Sequence, residues 1–145
     1  QELSLGKGNK IAIKNGYSDQ VALVSRGNQY LTNLEIEEST VALLIDTGAS
    51  MTTLSQAAFH ALSTKHTFNL MGQRMFSTAN GIAKGDIYRV ERLELGKFTL
   101  NGSQLAVLNF TMPAGVDGLL GMNVLAQFRF HIDQEKQLLY LADRP

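Results

Sequence analysis

The chain has 145 residues, 44% of them hydrophobic, no cysteine, and a formal net charge of zero from 13 basic and 13 acidic residues. A chain of this length forms one domain and removes roughly two thirds of its unfolded surface from water. The balanced charge argues against a nucleic-acid binder, and the absence of cysteine excludes disulfides, thiolate metal sites and cysteine catalysis.

The first part of the chain has the pattern of short strands. Apolar runs at 11–14 and 20–25 lie on either side of an Asn-Gly pair at 15–16, which is a strong hairpin signal. Residues 30–38 mix apolar and polar side chains, as in a half-exposed strand. Residues 41–45 are continuously apolar, which predicts a strand that is buried on both faces.

The second part repeats this pattern. Another Asn-Gly pair, Asn80-Gly81, separates predicted strands at 75–79 and 82–90. Further strands are predicted at 93–100 around a glycine turn, at 105–110, at 128–132 and at 138–141.

Helix signals are few. Ser55 can cap a helix over 56–62, and a second short helix is predicted over 122–127. Many strands and two short helices predict an all-β domain. No apolar run approaches the roughly 20 residues of a membrane span.

The most informative stretch is Leu-Ile-Asp-Thr-Gly-Ala-Ser at residues 44–50. It places the Asp46 carboxylate directly after a buried strand, which costs free energy unless the group is exposed or hydrogen-bonded. The following glycine allows a sharp turn and a close approach of ligand or backbone. Asp-Thr-Gly alone is weak evidence, but the preceding strand and the following Ala-Ser make the motif more specific.

A second motif, Asp-Gly-Leu-Leu-Gly-Met-Asn-Val-Leu at residues 117–125, combines an apolar pair, a glycine and a short helix. With both motifs, the sequence resembles the retropepsin-like aspartic proteases, most closely the bacterial single-domain type with Asp-Thr-Gly-Ala-Ser. The resemblance covers about residues 28–142 and implies a single-lobe acid protease fold that is closed and barrel-like. We therefore expect a protease domain over 28–145. Residues 1–27 would be an N-terminal strand or hairpin extension, or the end of an upstream segment.

The resemblance implies a role for each residue that matches a family motif. The implied residues are catalytic Asp46; the active-site loop Thr47, Gly48, Ala49 and Ser50; the substrate-binding flap Thr78, Ala79, Asn80, Gly81 and Ile82; and the supporting strand Leu119, Leu120 and Gly121. Thr47 is expected to bond to the partner's loop across a dimer, and the Ser50 hydroxyl to help hold the Asp46 carboxylate. The resemblance implies no metal and no other cofactor, and the three histidines lack metal-ligand spacing.

The number of Asp-Thr-Gly motifs bears on the mechanism. Two facing carboxylates share one proton, so one acts as the base that activates water while the other acts as the acid. The chain carries a single Asp-Thr-Gly, because neither Asp86 nor Asp117 is followed by the Thr/Ser-Gly of the motif. We therefore expect a homodimer in which each protomer contributes Asp46. Its substrate would be an extended polypeptide with apolar side chains near the cleaved bond.

Other interpretations stay open at this stage. The domain is alternatively a catalytically silent peptide-binding or dimerisation module on the same fold, or a monomer with a different chemistry. Asp46 is alternatively a structural turn aspartate, and Asn80-Gly81 an ordinary hairpin turn. The sequence does not identify the compartment. Because such bacterial relatives are commonly periplasmic or membrane-anchored, we favour those locations, with any anchor upstream of Gln1 in a longer precursor.

Overall fold

The computed structural model describes residues 16–78 and 80–144. The predicted strand at 11–14 and Ala79 of the predicted flap lie outside these residues. Strands form most of the described chain, and the predicted all-β fold with two short helices is confirmed. The strands are β1 (Asp19–Ala22), β2 (Val24–Arg26), β3 (Gln29–Ile36), β4 (Ser39–Ile45), β5 (Thr53–Ser55), β6 (Asn69–Thr78), β7 (Gly81–Val90), β8 (Leu93–Leu95), β9 (Phe98–Leu100), β10 (Ser103–Leu108), β11 (Gly118–Leu120), β12 (Phe128–Asp133) and β13 (Leu138–Asp143). The helices are α1 (Gln56–Ser63) and α2 (Met122–Leu125).

The strands form two sheets. The larger has the order β6-β7-β10-β5-β11-β4-β3-β8-β9, with β2 paired to β3, and the smaller has the order β1-β13-β12. The predicted closed, barrel-like shape is wrong in one respect, because the larger sheet is open. In the described chain β6 pairs only with β7, and the three-residue strand β9 pairs only with β8, so no strand closes the ring.

Strand β11 lies in the middle of the larger sheet and organises it. It runs parallel to β4 on one side and antiparallel to β5 on the other. Parallel neighbours require a long crossover connection, which here includes β5 to β10. The two sequence motifs therefore meet in space, because the Asp-Thr-Gly stretch follows β4 and the Leu-Leu-Gly stretch forms β11.

The hydrophobic core lies beneath β4 and β11. Val41, Leu43, Leu44 and Ile45 are all buried and Ala42 is half-buried, so the prediction of a strand covered on both faces is confirmed. Such strands carry continuous apolar runs because neither face meets water. The largest fully buried side chains around them include Leu120, Leu125, Phe128, Leu139 and Leu141.

The N-terminal strands are part of this body. Strand β1 pairs with β13, and β2 pairs with β3. Leu23, between β1 and β2, is 4% exposed and belongs to the main core cluster. The domain boundary after residue 27 stays a prediction, and the described part of the N-terminal extension packs on the rest of the chain.

Several element boundaries differ from those predicted. Ser55 caps α1 as predicted, since its hydroxyl accepts a hydrogen bond from the Ala58 N–H at 3.1 Å. Strand β6 begins at Asn69, whereas the sequence predicted a start at residue 75. The sequence carries no strand signal there because the first seven residues of β6 are exposed on both faces and show no apolar-polar alternation. Strand β5 was not predicted, since its three residues carry two hydroxyl side chains. Among the described residues, neither helix has the length or apolar character needed to cross a membrane.

One pair of like charges, with Glu35 exposed and Glu94 half-buried, lies near one end of the larger sheet. Glu35 of β3 is opposite Glu94 of β8. The hydrogen bond with Glu94 is the main cause that raises the pKa of Glu35, followed by desolvation and by repulsion from Glu94 and Glu38, while Arg92 lowers it. A carboxyl whose pKa is raised on folding binds its proton more tightly in the folded state. Its contribution to stability is therefore present at low pH and is lost as pH rises through the raised pKa.

We expect Glu35→Gln to raise the thermal midpoint slightly at pH 7. Gln keeps a side chain that can hydrogen-bond to Glu94 but removes the repulsion between charges in directly opposed positions. The gain should disappear at a pH below the ordinary glutamate pKa, where Glu35 is protonated in both states. Thermal unfolding across this pH range measures the effect, with Glu135→Gln in the turn after β12 as a charge-matched control. Equal shifts in the two variants would contradict the prediction.

Candidate active site

The loop after β4 holds the Asp46 side chain in place. The Asp46 N–H donates to the Leu120 carbonyl of β11 at 3.0 Å, and the Gly48 N–H donates to Asp46 Oδ1 at 3.0 Å. The Ala49 N–H then donates to the Asp46 carbonyl at 3.1 Å. A Cβ atom at Gly48 would lie 3.3 Å from Oδ1, so glycine gives the carboxylate room beside the backbone. The half-buried carboxylate thus gains a fixed donor while its other oxygen stays available.

Helix α2 anchors the far end of this loop. The first N–H groups of a helix have no partner within the helix. Here the Met122 N–H donates to the Ala49 carbonyl at 2.8 Å, and the Asn123 N–H donates to the Ser50 carbonyl at 3.1 Å. The loop and the short helix therefore satisfy and fix each other. The Ser50 hydroxyl contact with Asp46, expected from the resemblance, stays a prediction.

A partly buried polar network supports the same loop, and the sequence analysis missed it. Asn123 Oδ1 accepts from both the N–H and the hydroxyl of Thr52, at 2.7 and 2.9 Å. The Thr52 hydroxyl also accepts from the Gly121 N–H at 3.0 Å, and Asn123 Nδ2 donates to the Gln104 carbonyl at 2.7 Å. Thr52 is fully buried. Thr52 and Asn123 are positioning residues. Asn123 is a polar residue inside an otherwise apolar stretch, which is a usable sequence signal, whereas Thr52 lies among other hydroxyl residues and gives none.

Leu119 and Leu120 of the predicted supporting strand lie in β11 beside β4, and Gly121 precedes helix α2. Leu119 is opposite Leu44 and Leu120 is opposite Ile45 in the parallel β11–β4 register. Leu120 is fully buried, whereas Leu119 is half-buried and reaches the Asp46 cleft. Strand β11 therefore connects the core with the base of the loop.

A cleft of about 620 Å³ separates the Asp46 loop from the β6–β7 hairpin. The loop side presents Asp46, Gly48, Ala49 and Ser50; the apolar lining comes from Met51, Leu108, Phe110, Met112 and Leu119; and the hairpin presents residues 74–78. Thr53 completes the lining. The cleft thus brings all the predicted loop residues except Thr47 together with Thr78, one end of the predicted flap.

The described residues of the predicted flap lie at the tip of this hairpin. Thr78 lines the Asp46 cleft, and its hydroxyl donates to the Gly81 carbonyl at 2.6 Å and accepts from the Asn80 N–H at 3.2 Å. Asn80 and Ile82 line an adjoining cleft of about 530 Å³. Strand β6 ends at Thr78. Strand β7 begins at Gly81, one residue before its predicted start at residue 82, and Gly81 has a positive φ of 109°. Ile82 is 74% exposed, so the tip is open to solvent.

The other carboxylates near these motifs have structural partners away from the cleft. Asp117 Oδ2 accepts from the Ala42 N–H at 2.9 Å, and Asp86 Oδ1 accepts from the Gln73 side chain at 2.8 Å. Neither residue lines the cleft. Among the described residues that line it, Asp46 is the one with an acidic side chain. Thr47 lies beside it and is exposed. Over residues 16–78 and 80–144, no group of three His, Asp or Glu side chains is placed to hold a metal ion.

Comparisons with known proteins agree with this geometry. Residues 32–124, more than half of the chain, match the sequence model of the family described as aspartyl protease. The fold is similar to that of a retropepsin-like aspartic protease from Rickettsia conorii, with 28% identity and a TM-score of 0.65 over 85% of this chain and 88% of that one. It is also similar to the EIAV protease complexed with the inhibitor HBY-793, with 16% identity and a TM-score of 0.56 over 71% of this chain and 92% of that one. No curated protein matches the sequence significantly. The chain belongs to the aspartyl protease family and has its retropepsin-like fold.

Proposed function

We propose that this protein is an aspartic endopeptidase whose active site forms in a homodimer, with one Asp46 carboxylate from each protomer. The observation that carries the proposal is the cleft itself, in which Asp46 is the single acidic side chain among the described residues. A lone carboxylate cannot remove a proton from water and protonate the leaving group in one step. A second carboxylate is needed, and Asp86 and Asp117 are engaged elsewhere.

A two-fold axis beside Asp46 would supply that second carboxylate. An isologous dimer brings the same residue from both chains together. Two carboxylates at close range do not both ionise, so the pair holds one proton. The ionised member takes a proton from the attacking water, and the protonated member donates to the peptide carbonyl or the leaving nitrogen. Thr47 is exposed. In such a dimer it would lie next to the axis, where its hydroxyl would bond to the partner's loop.

The β6–β7 hairpin would act as the flap over the bound substrate. An extended peptide gains main-chain hydrogen bonds from a neighbouring strand, and alternate side chains enter pockets. The cleft fits this binding mode, since residues 74–78 of β6 face the Asp46 loop across it. Its apolar lining from Leu108, Phe110 and Met112 favours apolar substrate side chains.

We expect the specific activity to fall on dilution. Each protomer carries half of a site, so dilution below the dimer dissociation constant removes active sites faster than it removes protein. Peptide cleavage that is inhibited by pepstatin, measured from micromolar to the lowest detectable concentration, tests this together with the mass from light scattering. Constant specific activity from a monomer would contradict the shared site. Peptide binding without any turnover would favour a silent binding module.

A further inference from the structure

Arg74 is the one cationic side chain among the described residues that line the Asp46 cleft. It lies on β6 two residues before Phe76, so both side chains project from the same face of the hairpin. The guanidinium carbon is 5.4 Å from the centre of the Phe76 ring. Phe76 is itself half-buried and packs against Met51, Ile87 and Ala106. A half-buried aromatic ring therefore lies beneath the charged group at the cleft wall.

The Arg74 guanidinium has no acidic partner within residues 16–78 and 80–144. The ion pairs of the described chain join Arg89 to Glu91 and Arg92 to Glu94. A guanidinium that stacks on a ring keeps its N–H groups free at its edge, where they match a carboxylate in a two-point contact. Arg74 itself is exposed, so its contact with a carboxylate depends on this two-point geometry beside the apolar lining of the cleft.

We propose that Arg74 forms a subsite that selects a carboxylate of the substrate close to the cleaved bond. This inference rests on the proposed function, since it assumes that the cleft binds peptides. A carboxylate reaches the cleft either as an Asp or Glu side chain or as the free C-terminus of a peptide. The first source gives an endopeptidase with an acidic preference at one position, and the second favours cleavage near chain ends.

The test uses one cleaved parent peptide and its variants. Each position around the cleaved bond carries Glu, Gln or Lys in turn, and every peptide is made with both a free and an amidated C-terminus. The wild-type kcat/KM should be about tenfold higher for Glu than for Gln at one position, the size of a charge-assisted hydrogen bond. Arg74→Gln should bring this ratio to about one, and Arg74→Glu should make Lys better than Gln. A preference that follows the free C-terminus assigns the carboxylate to the chain end.

Lys84→Gln is the matched control. Lys84 lies on β7 opposite Met75, so it is a cation of the same hairpin, but it does not line the cleft. The ratio of Glu to Gln should persist in this variant. Loss of the ratio to the same extent in Lys84→Gln would overturn the subsite, because the effect would then come from general hairpin charge. Equal cleavage of all peptides by the wild type would overturn it too, and would leave the proposed function intact.

Binding to Asp46→Asn separates the two claims. If no peptide is cleaved by the wild type, the proposed function fails. Fluorescence anisotropy of labelled Glu and Gln peptides on Asp46→Asn then decides the subsite by itself. Tighter binding of the acidic peptide, lost in Asp46→Asn combined with Arg74→Gln, supports it, and equal binding overturns it.

Discussion

Asp46→Asn is expected to lower peptide cleavage by about a thousandfold or more, because the amide can neither take up the proton of water nor share one with a partner carboxylate. The loop should keep its shape, since the Asn oxygen can accept the Gly48 N–H that now bonds Oδ1 at 3.0 Å. Turnover of an unstructured protein substrate measures the activity. Cleavage at the wild-type rate would remove Asp46 from the mechanism.

The same substitution should leave the thermal midpoint equal or slightly higher. Two carboxylates held close repel each other, so their removal relieves strain, most clearly at neutral pH. Asp117→Asn is the matched control. Its amide oxygen can still accept the Ala42 N–H, and Asp117 lies outside the cleft, so most activity should remain. A large fall in the midpoint of Asp46→Asn would favour a structural turn aspartate instead.

Subunit mixing makes this prediction specific for a shared site. With random exchange and a ninefold excess of Asp46→Asn, about one tenth of the wild-type chains keep a wild-type partner in a two-fold dimer. Activity per wild-type chain should therefore fall to about that fraction. An excess of Asp117→Asn should not lower it. Unchanged activity in the first mixture would mean that each chain carries a complete site.

The sequence was informative where the physical signal was local. A continuous apolar run predicted the buried strand β4, and Ser55 predicted the start of α1. The carboxylate after the buried run, followed by glycine, predicted the loop that the structure places on a cleft wall. Each of these features depends on neighbours in the chain, so one sequence is enough to recognise it.

The supporting network depends on contacts between distant segments, which one sequence does not reveal. Thr52 and Asn123 are far apart in the chain, yet they share two hydrogen bonds. Arg74 has no distinguishing signal in the sequence, and it is the folded hairpin that places it in the lining of the Asp46 cleft. The open sheet was also hidden, because it depends on which edges stay unpaired.

Gly118→Ala should strongly destabilise the region that supports Asp46. Gly118 begins β11, where it is opposite Leu43 of β4 and Leu54 of β5. A Cβ atom at this position would lie 1.9 Å from the Thr53 carbonyl oxygen and 2.9 Å from the Leu54 Cα. Both are backbone atoms inside a paired sheet, so they cannot turn aside as a side chain would. We expect a loss of about 3 kcal/mol or more, and a fall of about 10 °C or more in thermal midpoint.

Gly85→Ala separates backbone crowding from side-chain crowding. Its Cβ would lie 2.6 Å from Leu108 Cδ2 and 2.8 Å from Phe76 Cε2, the ends of side chains that can rotate away. Neither glycine has a positive φ. Both substitutions therefore stabilise the protein by the same small amount, because alanine lowers the conformational entropy of the unfolded chain. The two variants differ only in the contacts that the new Cβ atom creates. Thermal unfolding of the two variants should therefore show a clearly larger loss for Gly118→Ala. The Leu120 carbonyl of β11 accepts a hydrogen bond from the Asp46 N–H, so a shift of β11 also displaces Asp46. The protein that remains folded should therefore cleave peptides more slowly. Equal midpoints would mean that β5 shifts freely against β11, and would contradict a rigid support beneath the Asp46 loop.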